Sequence, residues 1–133
     1  MKDLIWNNTL SVEVDEIDDD HRRLVELYNI LRNAASAGDP SAYVEALMTE
    51  LVACTVWHFK HEERLMIRYG YPGYEAHRSE HEDLVASARE LQQKFVADDM
   101  QISAEDIQYL EHWLTGHILS TDMDLGAFLA EVM

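Results

Sequence analysis

The sequence predicts an all-α protein, an antiparallel up-down-up-down four-helix bundle with an extended N-terminal arm. Three observations predict it. Four stretches repeat apolar residues at three- and four-residue spacing. The connections between them are short and carry Gly, Pro or Asp. A chain of 133 residues with one cysteine is long enough to bury a core without disulfides, so a single domain over 1–133 is expected.

Taken in order, residues 1–17 place Leu4, Ile5, Trp6, Leu10, Val12, Val14 and Ile17 in partial alternation with no helical period, which reads as an arm packing Trp6 on the domain. Asp18, Asp19 and Asp20 suit a helix N-terminus, where carboxylates cap free amides and meet the positive end of the dipole. Helix one follows, with Leu24, Val25, Tyr28 and Leu31 on one face and Gly38 after its end. Asp39-Pro40 opens helix two in the cap-then-proline order. Its inward stripe is Leu47, Leu51, Cys54, His58, Glu62 and Leu65, and the YGYPG stretch at 69–73 stops it. Helix three runs from Tyr74 to Val96 with His77, His81, Leu84, Val85, Ala88, Leu91 and Phe95 inward. Ser103 with Asp106 forms a capping box for helix four, whose stripe is Ile107, Leu110, Leu114, His117 and Ile118. The tail MDLGAFLAEVM adds a short helix around Leu125, Phe128 and Leu129.

Charge narrows the partners. With 10 Lys+Arg against 26 Asp+Glu the net charge is -16, which repels nucleic acid and anionic lipid and attracts cations. The N-terminus lacks the apolar core of a signal peptide, and no apolar run approaches membrane-spanning length. The expectation is a cytoplasmic monomer with no nucleic-acid partner and no membrane insertion.

Seven histidines in so short a chain exceed what packing asks for. Residues four apart on a helix share a face. His58 and Glu62 have that spacing, as do His77 and His81, and both pairs interrupt otherwise apolar stripes. His21 begins helix one and His117 lies on the inward stripe of helix four, so every helix delivers a histidine to one interior region. Asp122, five residues beyond His117, is rotated about 140° from it in a straight α-helix. That offset implies either a ligand approaching from the side or a local helix distortion.

The order His21, His58-x-x-x-Glu62, His77-x-x-x-His81 and His117-x-x-x-x-Asp122 resembles the hemerythrins, in particular the single-domain bacterial type, over nearly the whole chain. The resemblance implies two irons. His77, His81 and His117 would hold one, His21 and His58 the other, and Glu62 and Asp122 would bridge them beside an oxo or hydroxo group. Counting those ligands gives six positions filled on the first iron and five on the second, which leaves one open for O2. The implied function is reversible O2 binding for storage, delivery or sensing, with O2 as ligand and an oxygen-consuming enzyme as partner. The implied protein is not an enzyme: five neutral nitrogens and two carboxylates differ from the carboxylate-rich di-iron oxidases, whose paired Glu-x-x-His motifs are absent here. Two alternatives stand beside it, a di-iron enzyme reducing peroxide or nitric oxide, and a storage or structural protein holding iron or zinc. In hemerythrins a leucine matching Leu114 lines the oxygen pocket. The family spacing also favours Asp122 over Asp124, which lies seven residues beyond His117 on nearly the same face.

The remaining candidates read as structure. His61 and Glu63 flank Glu62 by about 100° on either side and, with Lys60 and Arg64, read as helix surface; His112 reads likewise. Cys54 reads as a small buried hydrophobe, and Trp57, Trp113 and Tyr109 as core aromatics. Gly116 either permits a close helix approach or is incidental.

Overall fold

The computed structural model describes residues 4–7, 9–97 and 101–133, with the side chains of Ile118 and Leu119 excepted. The first three residues of the arm, Asn8, and the Ile118 side chain expected on the helix-four stripe therefore lie outside the described residues. The described chain is an antiparallel four-helix bundle: α1 Asp15–Ala37, α2 Ser41–Tyr69, α3 Tyr74–Ala97, and a fourth rod made of α4 Ala104–His117, a π-helical turn Ile118–Asp122 and α5 Met123–Val132. Neighbours in sequence are neighbours in space, and α1 packs on α4 to close the ring, as short connections require.

The connections follow from local chemistry. α1 ends where Gly38 enters the left-handed region at φ 70°, with Asp39 N–H donating to Ala34 O at 3.1 Å. α2 ends the same way at Gly70, φ 66°, with Tyr71 N–H donating to Met66 O at 2.9 Å. Ser103 and Asp106 form the expected reciprocal box, Asp106 N–H to Ser103 Oγ at 3.0 Å and Ser103 N–H to Asp106 Oδ2 at 3.3 Å.

Two helix starts differ from expectation. α1 begins at Asp15, not after the aspartates, and no side chain caps it. Asp18 is instead buried within the helix, accepting from Val12 N–H at 2.8 Å and Ser11 Oγ–H at 2.6 Å. Its carboxylate binds the arm rather than the helix end, because the arm folds back over the first turn and brings its own free amide closer. At the second start, Pro40 itself occupies the N-cap and its carbonyl accepts from Tyr43 and Val44 N–H, while Asp39 makes no cap hydrogen bond.

The arm is pinned at three places. Leu4 exchanges two hydrogen bonds with the Asn29 side chain, at 2.8 and 2.7 Å. Trp6 is half-buried against the core, with the Arg22 guanidinium 5.1 Å over its ring. At Gly126 on α5, an added Cβ would overlap the Val12 carbonyl oxygen and stand 2.7 Å from the Val12 Cβ. Only glycine lets the arm lie this close.

Buried apolar residues form two clusters with a polar layer between them. One holds Leu24, Leu31, Leu51, Leu91, Leu110 and Leu114 among others. The other holds Val12, Val14, Ile17, Leu65, Met66, Leu125 and Leu129. Along α1 the order is Ile17, His21, Leu24; along α2 it is Leu51, His58, Glu62, Leu65; along the fourth rod it is Leu114, His117, Asp122, Leu125. Each helix crosses the polar layer once.

Among the described residues, no helix is long and apolar enough to cross a membrane. Trp57 and Tyr109, expected in the core, are instead exposed, at 58% and 47%. Each sits on its helix at a phase that faces away from the bundle axis. Trp113 is buried and donates to Leu84 O at 3.0 Å.

Two glycine substitutions are expected to act with opposite sign. Nothing lies within 4 Å of a Cβ built at Gly116, so Gly116→Ala should stabilise by about 0.5–1 kcal/mol through helix propensity. Gly126→Ala should destabilise by about 1–3 kcal/mol through overpacking against Val12. Urea unfolding of both variants checks this, and a stable Gly126→Ala would show that the arm does not dock as described.

Candidate metal centre

Seven side chains meet in the polar layer: His21 from α1, His58 and Glu62 from α2, His77 and His81 from α3, His117 from α4, and Asp122 at the end of the π turn. All are buried, with His21, Glu62 and Asp122 at 0% exposure. The structure brings together all seven residues expected from the sequence. Every imidazole turns its Nε2 inward.

Their donor atoms fall into two overlapping groups, each within 4.8 Å: Glu62, His77, His81, His117 and Asp122 in one, His21, His58, Glu62 and Asp122 in the other. The carboxylates common to both are Glu62 and Asp122. Asp122 divides its oxygens between them, Oδ1 at 2.8 Å from His117 Nε2 and 3.0 Å from His77 Nε2, Oδ2 at 2.8 Å from His21 Nε2. Glu62 Oε1 lies 3.0 Å from His81 Nε2 and 3.5 Å from those of His58 and His77, with Oε2 4.0 Å from His21 Nε2.

The π turn resolves the odd spacing of Asp122. In a straight α-helix the residues following His117 on the inward face would be Thr121, Asp124 and Phe128. The wider turn of Ile118–Asp122 accommodates one extra residue per turn, so the inward face becomes Asp122, Leu125 and Leu129. All three are fully buried, and Asp124 is exposed.

Geometry and charge both fit a pair of cations. The buried atoms His77 Nε2, His117 Nε2, Glu62 Oε2 and Asp122 Oδ1 have short contacts but no aligned hydrogen bond, and His21 Nε2 faces His58 Nε2 at 3.0 Å. Buried polar atoms left unpaired in this way are costly, and a cation at their common focus satisfies them together. Without one, protons take its place. Burial pulls the His58 imidazole down, but the Glu62 charge and then contacts with Asp122 and Asp20 push it up to about 10. His117 is likewise lowered by burial, then raised to about 11 by the Asp122 charge. His77 is lowered by burial and raised to about 9 by its contacts with Asp122 and Glu62. Burial and the Asp122 charge raise Glu62, yet the surrounding imidazoles, His58 first, hold it below the usual carboxylate range. Asp122 stays well below that range because His117 outweighs its burial.

A largely apolar cavity adjoins the cluster, lined by Leu24, Thr55, Phe59, Leu84, Trp113 and Leu114 together with His21, His58 and His117. About 10 Å³ of it is open to the centre of a water-sized sphere, the room of one very small molecule. Leu114 is 4% exposed on its wall. Phe59 closes another side, stacked on His81 with ring centroids 3.9 Å apart.

Two residues read as surface are not. Glu63 is 9% exposed and its Oε2 accepts from His81 Nδ1 at 3.0 Å. His61 is partly buried, its Nδ1 2.6 Å from Asp20 Oδ2 and its Nε2 3.0 Å from Glu16 Oε1. The reason is geometric: a direction about 100° from the bundle axis points along the seam with a neighbouring helix, not into solvent. Asp20, assigned to a helix cap, also lies on a seam and contacts His58 Nδ1 at 2.9 Å. Glu80, which no sequence pattern singles out, has its Oε1 3.3 Å from His117 Nδ1. The available signal was position, since Asp20, Glu63 and Glu80 are each chain neighbours of a residue in the cluster. His112 is exposed as expected, and Cys54 is half-buried against the larger apolar cluster.

Fold and site define a four-helix-bundle protein with a buried His/Glu/Asp cluster able to bind metal. A family profile described as the hemerythrin HHE cation binding domain matches residues 12–129. The chain is 36% identical over 119 residues to a bacteriohemerythrin of Stenotrophomonas maltophilia, covering 90% of this chain and 76% of that one. It is 33% identical over 113 residues to a bacteriohemerythrin of Methylococcus capsulatus, covering 85% and 86%. A crystal structure of wild-type hemerythrin superimposes with a TM-score of 0.86 at 29% identity, covering 95% of this chain and 97% of that one. The chain belongs to the hemerythrin family.

Metal loading should release protons. Because His58, His77 and His117 are raised above neutrality in the metal-free protein, each must give up its proton to offer a lone pair. Adding Fe2+ to anaerobic, weakly buffered protein near pH 7 should acidify the solution, and iron affinity should weaken as pH falls. Loading without proton release would show that the imidazoles are neutral before the metal arrives.

Proposed function

We propose that residues 1–133 form one domain that binds O2 reversibly at a non-haem di-iron centre. His77, His81 and His117 would hold one iron, His21 and His58 the other, and Glu62 and Asp122 would be shared by both beside an oxo or hydroxo group. The observation that carries this reading is the division of one buried cluster into two donor groups sharing two carboxylates. A single metal would need neither the second group nor the split contacts of Asp122. When bound, two irons supply the electrons for reversible O2 binding and an open coordination position to receive it.

The chain's own residues then set the conditions. Three imidazoles lie in one group and two in the other, so an open position would fall on the His21/His58 side; the apolar cavity reaches both of those rings and also His117. Leu114, Trp113, Leu84, Leu24 and Phe59 wall that end of the site with apolar surface, which excludes water and protons from it. Among the described residues lining the cavity, the polar groups besides the imidazoles are the Thr55 hydroxyl, committed to Leu51 O at 2.7 Å, and the Trp113 indole N–H, committed to Leu84 O at 3.0 Å. On this reading the protein is an oxygen carrier, a cytoplasmic monomer that stores, delivers or senses O2, with an oxygen-consuming enzyme as the fitting recipient.

Purified protein made with iron available should contain two irons per chain and develop a visible band in air that disappears on deoxygenation. One zinc with no iron, or a band that does not reverse, defeats the proposal. Leu114→Ala should still assemble two irons, lose about 2–5 kcal/mol of stability as a cavity is made, and lose its oxygenated band in air faster than the parent. A variant that melts early yet holds O2 as long as the parent would reduce Leu114 to an ordinary core residue.

A further inference from the structure

An imidazole has two nitrogens, and whatever fixes a proton on one frees the lone pair of the other. In this cluster the inward atom is Nε2 throughout, so the groups facing Nδ1 decide how each ring is presented. They follow a pattern around the bundle. Asp20 of α1 faces His58 of α2 at 2.9 Å. Glu63 of α2 faces His81 of α3 at 3.0 Å, and Glu80 of α3 faces His117 of α4 at 3.3 Å. Each carboxylate sits one residue from a member of the cluster on its own helix, which turns it about 100° onto the seam and toward the next helix in chain order. The Nδ1 atoms of His21, His77 and His117 are all buried without an aligned hydrogen bond, but that of His117 has the Glu80 carboxylate at ion-pair distance, whereas among the described residues no carboxylate contact reaches those of His21 and His77, so the arrangement is selective.

We infer that Asp20, Glu63 and Glu80 are positioning residues, each holding the outward nitrogen of an iron-ligating imidazole on the next helix and thereby fixing which nitrogen faces the metal. The inference rests on the di-iron reading above and goes beyond it by assigning roles outside the ligands. Asp20 is itself held, since His61 bonds the same Oδ2 at 2.6 Å and Glu16 at 3.0 Å. His61, one residue from Glu62, thus acts on His58 through Asp20. Glu80 has a second contact, accepting from the Thr121 hydroxyl inside the π turn, and so spans the turn from His117 to Thr121. A carboxylate on Nδ1 also raises the basicity of Nε2, and partners of this kind are worth roughly 10- to 100-fold in metal affinity. Asp20 therefore acts on the iron of His21 and His58, while Glu63 and Glu80 act on the other.

The test compares the parent with Asp20→Asn, Glu63→Gln and Glu80→Gln, and with the exposed controls Asp19→Asn and Glu82→Gln. Each protein is loaded with 57Fe for Mössbauer spectroscopy and challenged with an iron chelator, and its metal-free melting temperature is recorded. Asp20→Asn should shift the doublet of one iron and the two glutamate variants that of the other, each with roughly 10- to 100-fold weaker iron retention. The controls should match the parent. Parent-like spectra and retention in the three variants overturn the inference, as do equal shifts of both doublets in each. If an amide variant holds no iron, Asp20→Glu or Glu63→Asp, which keep the charge, must recover it, and failure to recover also overturns the inference. A parent that binds no iron defeats the proposed function itself.

Discussion

Two carboxylates fully enclosed among five imidazoles are the constraint on which this structure depends. An isolated buried carboxylate costs so much that it ordinarily takes up a proton instead. Here Glu62 and Asp122 remain anionic because the imidazoles around them supply positive charge, and the same arrangement accepts metal in place of protons. The layer is strongly polar, so its stability is borrowed from the apolar clusters above and below it. Those clusters hold four helices at a spacing where seven side chains converge. The division of labour is spatial: the leucines of each helix fix its position, and the histidines between them exploit it.

The bundle was legible in the sequence because helical periodicity is a local property. His58 with Glu62 and His77 with His81 stood out for the same reason, being polar pairs in phase with leucines. What escaped was non-local. Asp18 was read as a helix cap because the return of the arm, which gives it Val12 and Ser11 as partners, depends on Gly126 more than a hundred positions away. Glu63 and His61 were read as solvent-facing because a one-helix projection has only an inside and an outside, whereas a helix in a bundle has two seams as well. The spacing of Asp122 announced a distortion but not its form, because a straight helix would have presented Asp124 instead.

The arm and the outer carboxylates share a role in closing the layer. Val12 and Val14 complete the smaller apolar cluster with Leu125 and Leu129, while Trp6 covers the His21 side, its ring centroid 6.5 Å from the imidazole. Asp20, Glu63 and Glu80 fill the seams between helices, where a small bundle is most open to water. Glu63 and Asp20 are about one-tenth exposed as side chains and Glu80 more than a third. Of these three seams the α3/α4 one leaves its carboxylate the most exposed, whereas Leu114 is buried on the wall of the apolar cavity.

The π turn also constrains how this chain can change length. It acts as a single-residue phase shift between two otherwise regular helical segments, so Leu110, Leu114 and His117 keep one rhythm and Asp122, Leu125 and Leu129 resume it one step late. Removing one residue between Ile118 and Thr121 would restore an unbroken α-helix and keep Asp122 near His117, four positions away and still in phase. Adding one would rotate everything downstream by about 100° and carry Asp122, Leu125 and Leu129 out of the core together. The segment is thus tolerant of shortening and intolerant of lengthening, an asymmetry that descends from helical pitch alone and that should be visible wherever this rod is inherited.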